Sequence, residues 1–197
     1  MNRLARIMMI DSDTNQGGSA TSLSVVANQS VINWNAFKTH GEHHGTLQIK
    51  SGIVEVDENK LPVGGTIYFD MTTIDDSDLS NNIMKKELEA DLKSSNFFDV
   101  EKFPEAKLEI VKVDHTPDAS GTYGVNAVLT MKGIRGELTF KASYTLLPEG
   151  GIKVETGVVV VDRTKWGITY GSKNIFKKLA DHIIADNFDV KAVVVAK

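Results

Sequence analysis

The sequence predicts an all-β, antiparallel fold with a short helix laid across it. Three observations predict this. From Val31 onward, apolar and polar residues alternate with a period of two in about eight separate runs. The runs are joined mostly by short turns. One stretch, from about Asn82 to Leu92, carries an apolar stripe at helical spacing instead. Eight or so strands joined in this way are the pattern of an up-and-down barrel or a sandwich.

At 197 residues the chain has the length of one β domain preceded by a tail, with the division expected at residues 1–30 and 31–197. Asp11–Ser30 is rich in Ser, Thr, Asn, Gln and Gly and reads as a flexible polar segment. The apolar residues before it, in RLARIMMI, are too few for a signal-peptide core or a membrane span, so neither an export signal nor a transmembrane segment is expected. A net charge of −4 and a pI near 5.7 argue against nucleic acid as a partner, which calls for a basic stripe. With no cysteine there is no disulfide framework, thiolate metal site or thiol nucleophile.

Taken in order, the first strand sets Ile32, Trp34 and Ala36 against Asn33 and Asn35. A turn at His40–Gly45 leads to a strand over Thr46–Asp57, whose Gly52 suggests a bulge or bend. Gly65–Ile74 places Ile67, Phe69 and Met71 on one face. The acidic run DDSDLS at Asp75–Ser80 introduces the helix, whose stripe is Ile83, Met84, Leu88 and Leu92. Phe103-Pro104 opens a strand over Glu105–Val113, followed by Tyr123–Lys132 and Glu137–Leu147, with Gly133–Gly136 as the tight turn between the last two. Lys153–Arg163 is a very apolar strand. A second short helix is expected near Ile175–Leu179, and Asn187–Ala196 closes the chain with Phe188, Val190, Ala192 and Val194 in alternation.

Motifs for chemistry are sparse. Asp11, Asp13 and Asn15 imitate the start of a calcium loop, but its sixth position is Gln16 rather than Gly and its twelfth is Ser22 rather than Glu. Asn28-Gln29-Ser30 fits a glycosylation sequon. His40, Glu42, His43 and His44 form one histidine cluster, which reads as a solvated turn lacking the further ligand that zinc requires; His115 and His182 stand alone. There is no G-x-S-x-G elbow, and GITYGSK at Gly167–Lys173 lacks the spacing of a phosphate loop. No catalytic residue, metal or cofactor is therefore assigned. Asp162 and Arg163 read as a structural ion pair at a strand end.

Three segments carry a resemblance. LKSSNFFDVEKFPEAKLEI at Leu92–Ile110, LTMKGI at Leu129–Ile134 and DRTKWGITYGS at Asp162–Ser172 occur in the order seen in the YceI-like family of lipid-binding proteins, which the chain resembles from about Val31 to Val195. The resemblance implies a lipocalin-like antiparallel barrel of about eight strands, with a short helix packed at one opening and a long apolar pore. It implies a bound polyisoprenoid or quinone-like lipid, held without catalysis for carriage, storage or sensing. It also implies a periplasmic, secreted or lipoprotein-anchored location. GIRG at Gly133–Gly136 departs from the family's usual Gly-Val-Thr-like turn, and Trp34 with Lys38 suggests a divergent branch with a W-x-x-x-K first strand.

On that resemblance the candidate lipid-binding residues are Trp34, Ile67, Phe69, Met71, Leu88, Leu92, Phe97, Leu108, Ile110, Leu129, Phe140, Tyr144, Val158, Val160, Trp166 and Phe188. Trp34, Tyr144, Trp166 and Tyr170 join an apolar body to a polar handle, which suits a lipid head. The same alternation would equally fill the core of any closed sheet. The competing reading is thus an envelope structural or interaction protein with a solid interior. A homodimer is compatible with either.

Overall fold

The computed structural model describes residues 20–114, 116–176 and 183–197. Four sequence features lie outside these residues: the RLARIMMI segment, the Asp11–Asn15 pattern, His115 and His182. Ten strands form one antiparallel sheet. They are β1 (Thr21–Ser24), β2 (Val31–Lys38), β3 (Gly41–Val56), β4 (Pro62–Asp76), β5 (Glu105–Val113), β6 (Tyr123–Met131), β7 (Ile134–Leu147), β8 (Gly151–Thr156), β9 (Val159–Asp162) and β10 (Ile184–Ala196). The helix α1 (Asn82–Lys93) interrupts the connection from β4 to β5.

The sheet closes on itself. Its order is β3-β2-β10-β8-β7-β6-β5-β4, and β4 returns to pair with β3 from Gly45↔Asp76 to Val56↔Pro62. β9 continues the line of β8 along β10, so the wall is an eight-stranded antiparallel barrel. Among the described residues no helix is long and apolar enough to cross a membrane. Ring closure takes up most of the strand edges through which sheet-to-sheet pairing would run, and the homodimer expectation gains no support from the fold.

Several local expectations are corrected. The polar tail does not extend to Ser30: Thr21–Ser24 pairs with Ile53–Val56 of β3, Val25 bridges to Ala196, and Ala27–Gln29 forms a 3₁₀ turn before β2. Gly52 is no bulge. It pairs in register with Ile67, and a Cβ there would lie 2.6 Å from the Thr66 carbonyl, so glycine permits close strand approach. The irregularities in the β3–β4 pairing fall at Thr46/Gln48, Ile49/Ser51 and Glu55/Val56 instead. The hairpin after β6 is shorter than predicted. Met131 pairs with Ile134, so only Lys132 (φ 52°) and Gly133 (φ 75°) turn, both left-handed as a two-residue primed turn demands. Ile175 and Phe176 lie in and just after a turn, and the rest of the second expected helix falls outside the described residues.

The helix has the predicted limits to within a residue. Asn81 caps it, its side-chain oxygen accepting from the N–H groups of Ile83 (2.9 Å) and Met84 (3.2 Å). Its predicted stripe is only half used, because Ile83 is 70% exposed and Met84 also faces solvent. Polar contacts hold its first turns to the barrel: Lys85 Nζ lies 2.9 Å from Asp75, and Glu89 accepts from the Asp76 N–H at 3.0 Å.

Candidate functional site

The barrel interior contains two apolar cavities stacked end to end. The larger, of about 180 Å³, lies toward α1 and the FFD turn. The smaller, of about 110 Å³, lies toward the β3–β4 and β5–β6 connections. Ile32, Phe69, Leu108, Phe140, Thr156 and Ala192 border both and form a waist between them. Cross-strand pairing explains the waist: Phe69 faces Ala106 beside Leu108, and Phe140 faces Val125 on the neighbouring wall.

Most of the predicted residues stand in these walls. Trp34, Met71, Leu92, Phe97, Leu129 and Phe188 line the larger cavity; Ile67, Ile110 and Tyr144 line the smaller; Phe69, Leu108 and Phe140 line both. Four do not. Val158 and Val160 are 52% and 55% exposed and point outward, while Val159 and Val161 face the larger cavity. The reason is parity. Val154 and Thr156 face inward, Gly157 and Val158 add an extra residue between β8 and β9, and the alternation restarts one position out of phase. Leu88 is half-buried on α1 and reaches neither cavity.

Trp166 is the fourth correction. It is almost wholly buried, yet it borders neither cavity. It sits on a 3₁₀ turn, Arg163–Trp166, and its Nε1 donates to the Leu129 carbonyl at 3.0 Å. A Cβ at Gly136 would lie 2.7 Å from its ring, so the indole occupies the space that glycine leaves on β7. Tyr170 is half-exposed and meets Phe97 edge-on at 5.5 Å, outside the cavity walls. Arg163 does not pair with Asp162. Its guanidinium donates to the carbonyls of Ala185 (2.9 Å), Ile168 (2.9 Å) and Ile184 (3.1 Å) and approaches Asp186 at 3.8 Å, while Asp162 caps the 3₁₀ turn by accepting from Thr164.

The larger cavity is apolar in a strict sense, because each polar side chain on its wall is already engaged. Trp34 Nε1 donates to the Thr46 carbonyl at 3.2 Å, Thr156 Oγ1 accepts from the Ala192 N–H at 2.8 Å, and Arg163 is spent on its three carbonyls. The smaller cavity differs. Asp114, Tyr123, Ser143 and Tyr144 gather at its rim, and the two tyrosine rings lie 5.4 Å apart. Burial, reinforced by Tyr123, pushes the Tyr144 hydroxyl above its usual pKa, so it stays a neutral donor. Asp118 orders the loop before Tyr123, accepting from Ser120 and Thr122 and pairing with Lys141. Tyr123 was not predicted as a site residue. Its pairing with Ala142, two residues from Tyr144, emerges only from the β6–β7 register.

The histidine turn is divided by the sheet. His40 and His44 are exposed, whereas His43 is partly buried and turns toward β4.

A closed antiparallel barrel with an apolar interior, a polar rim and a helix beside the opposite end has the architecture of the small-ligand-binding β-barrels. The family model of the YceI-like domain matches residues 23–196, and the chain belongs to that family. No curated protein matches the sequence. Among solved structures, BcnA of Burkholderia cenocepacia is 18% identical with a TM-score of 0.66, covering 88% of this chain and 99% of its own. A polyisoprenoid binding domain from Saccharophagus degradans, implicated in plant cell wall breakdown, is 14% identical with a TM-score of 0.61, covering 88% of this chain and 97% of its own. A mutant YCEI protein of Campylobacter jejuni with a monobromobimane guest is 14% identical with a TM-score of 0.53, covering 74% and 80%. At these identities the likeness is one of fold.

Proposed function

We propose that the protein binds an apolar isoprenoid-type lipid inside the barrel, without catalysis, for carriage, storage or sensing. The observation that carries this reading is the larger cavity, whose wall is almost wholly apolar and whose few polar side chains each already have a hydrogen-bond partner in the protein. The polyisoprenoid binding described for the Saccharophagus domain supports it. Binding would draw on apolar burial at roughly 25 cal/mol per Å². At about 180 Å³ the larger cavity is on the scale of the ~150 Å³ cavities that hold one benzene ring. A prenyl chain of several units therefore needs both cavities, with Phe69 and Phe140 swung aside at the waist and the polar head left at the Tyr123–Tyr144 rim.

The test is native mass spectrometry of the purified protein before and after incubation with a quinone and a polyprenol, followed by extraction. A stoichiometric prenyl-lipid adduct, lost in folded Phe69→Asp or Leu129→Asp, is the expected result. A folded Phe69→Asp that retains the adduct would overturn the pocket assignment. Absence of any adduct after both incubations would favour an interaction protein that recruits partners on its outer wall. The same reading carries an envelope location, periplasmic or lipoprotein-anchored. Cell fractionation that recovered the protein wholly with the cytoplasm would refute it.

A further inference from the structure

At the helix end of the barrel the β2–β3 hairpin and the end of β4 assemble a polar cluster that lipid binding does not use. Register builds it. Ala36 pairs with His43, Trp34 with Gly45 and Gly45 with Asp76, so the His43 and Asp76 side chains lie on the face that Trp34 and Ala36 share. Asp78 follows in the turn before α1, its Oδ1 accepting from the His44 N–H at 2.8 Å. Its Oδ2 lies 3.0 Å from His43 Nδ1. Asp76 is fully buried; Oδ1 accepts from the Leu79 N–H at 2.9 Å, but Oδ2 has no hydrogen-bond partner among the described residues and stands 4.0 Å from the same Nδ1. A buried carboxylate oxygen without a partner is costly and calls for a group to answer it.

We propose that His43 Nδ1, Asp76 Oδ2 and Asp78 Oδ2 form a binding site for a divalent transition-metal ion of the zinc type. The three atoms lie within 4.8 Å of one another. Bonds of about 2.0–2.2 Å set tetrahedral ligand atoms roughly 3.3 Å apart, so the site closes with side-chain shifts of about an ångström. One imidazole and two carboxylates suit zinc, manganese or ferrous iron rather than soft cuprous copper. His43 and Asp78 side chains retain 20% and 21% exposure, which lets an ion reach the site from solvent, and the fourth position is left to water. The histidine turn lacks a full ligand set in sequence because the other ligands come from β4 and the turn that follows it.

Burial holds the Asp76 carboxyl above its ordinary pKa. Burial opposes the charge on Asp78 too, but the His44 N–H, Asp76 and His43 outweigh it and bring that group down to about 2. Lys38 Nζ lies 2.8 Å from His43 Nε2 and donates to it. Metal on Nδ1 places the ring proton on Nε2, so the exposed Lys38 must withdraw into solvent.

Zinc titration of the full chain, without an affinity tag, by calorimetry or chelator competition tests the site, with circular dichroism and melting as fold controls. One equivalent is expected to bind. Affinity should fall at least tenfold in His43→Gln and in Asp78→Asn, hold in His40→Ala, and rise severalfold in Lys38→Met. Should Asp76→Asn fail to fold, the two variants at the partly exposed positions keep the test complete. No binding by the parent protein at 100-fold excess zinc, unchanged affinity in folded His43→Gln, or loss of binding in His40→Ala would each overturn the proposal. Lipid retention is read separately, so failure of either reading leaves the other standing.

Discussion

Trp166 and Gly136 are thirty residues apart in sequence yet define one another's space. The indole fills the volume above the glycine and anchors itself on the Leu129 carbonyl. Trp166→Ala should therefore cost about 3–5 kcal/mol in urea unfolding through lost burial and a stranded carbonyl. Gly136→Ala should cost about 1–3 kcal/mol, because a Cβ 2.7 Å from the ring must displace it. Equal stability of Gly136→Ala and the parent would mean that the ring is free to move. Residue type alone marked Trp166 as an aromatic suited to a lipid. Its actual partner was illegible, since nothing local to DRTKWGITYGS points to GIRG. Phe69, Leu108 and Phe140 were legible as inward because uninterrupted alternation carries them there.

Elements were read well where their periodicity is unbroken. The limits of α1 follow from its Asn81 cap and the Ser94 stop, and Asn81→Ala should cost about 1 kcal/mol of stability. Its buried face was misread because its first turns are held by Lys85 and Glu89, which leaves Ile83 and Met84 outside. The run from β8 to β9 was misread through one extra residue, which no apolar stretch of valines can announce. The corrected phase is testable. Val158→Thr and Val160→Thr should each change stability by no more than about 0.5 kcal/mol. Val159→Ala and Val161→Ala should each cost about 2 kcal/mol. Thermal or denaturant melts giving the reverse order would restore the sequence-based phase.

At the scale of the molecule, the antiparallel sense and a wall of about eight strands are legible in the patterning, though the short β1 and β9 are not, and closure is implied by the family resemblance rather than by the patterning, which fits a barrel or a sandwich. Closure depends on β3 and β4 meeting across the ring and on the chain's two described ends pairing at Val25 and Ala196. Acid stability is likewise a property of the assembled wall. Lys107, then Arg135 against the opposing effect of burial, hold Glu109 below its usual pKa. Lys141, Ser120 and Thr122 do the same for Asp118. Ser172, Asn174 and Arg163 do so for Asp186, although the Ser172 hydroxyl and Asp186 Oδ1 fall short of good hydrogen-bond geometry. A carboxyl depressed by folding stabilises the native state fully above its unfolded value near 4, and that contribution is lost as pH falls through the folded value. Unfolding midpoints should therefore drop as pH is lowered below about 4. Asp186→Asn should flatten part of that slope, and an identical slope would remove Asp186 from the account.

The wall is not uniform around its circumference. Among the described residues β9 pairs with β10 alone, and the half of β7 that faces it pairs only with β6, so this sector is joined mainly by side-chain packing of Val159, Val161, Trp166, Leu138 and Phe140 rather than by a backbone ladder. Gly157 N–H donates to the Lys141 carbonyl at 3.1 Å at the β8 end of that seam, and beyond it no backbone ladder joins the two walls among the described residues. Within the barrel, deuterium should enter first along Ile134–Lys141 and Val159–Asp162, and sooner still when Trp166 is shortened, while β3 and β4 hold their protons longest.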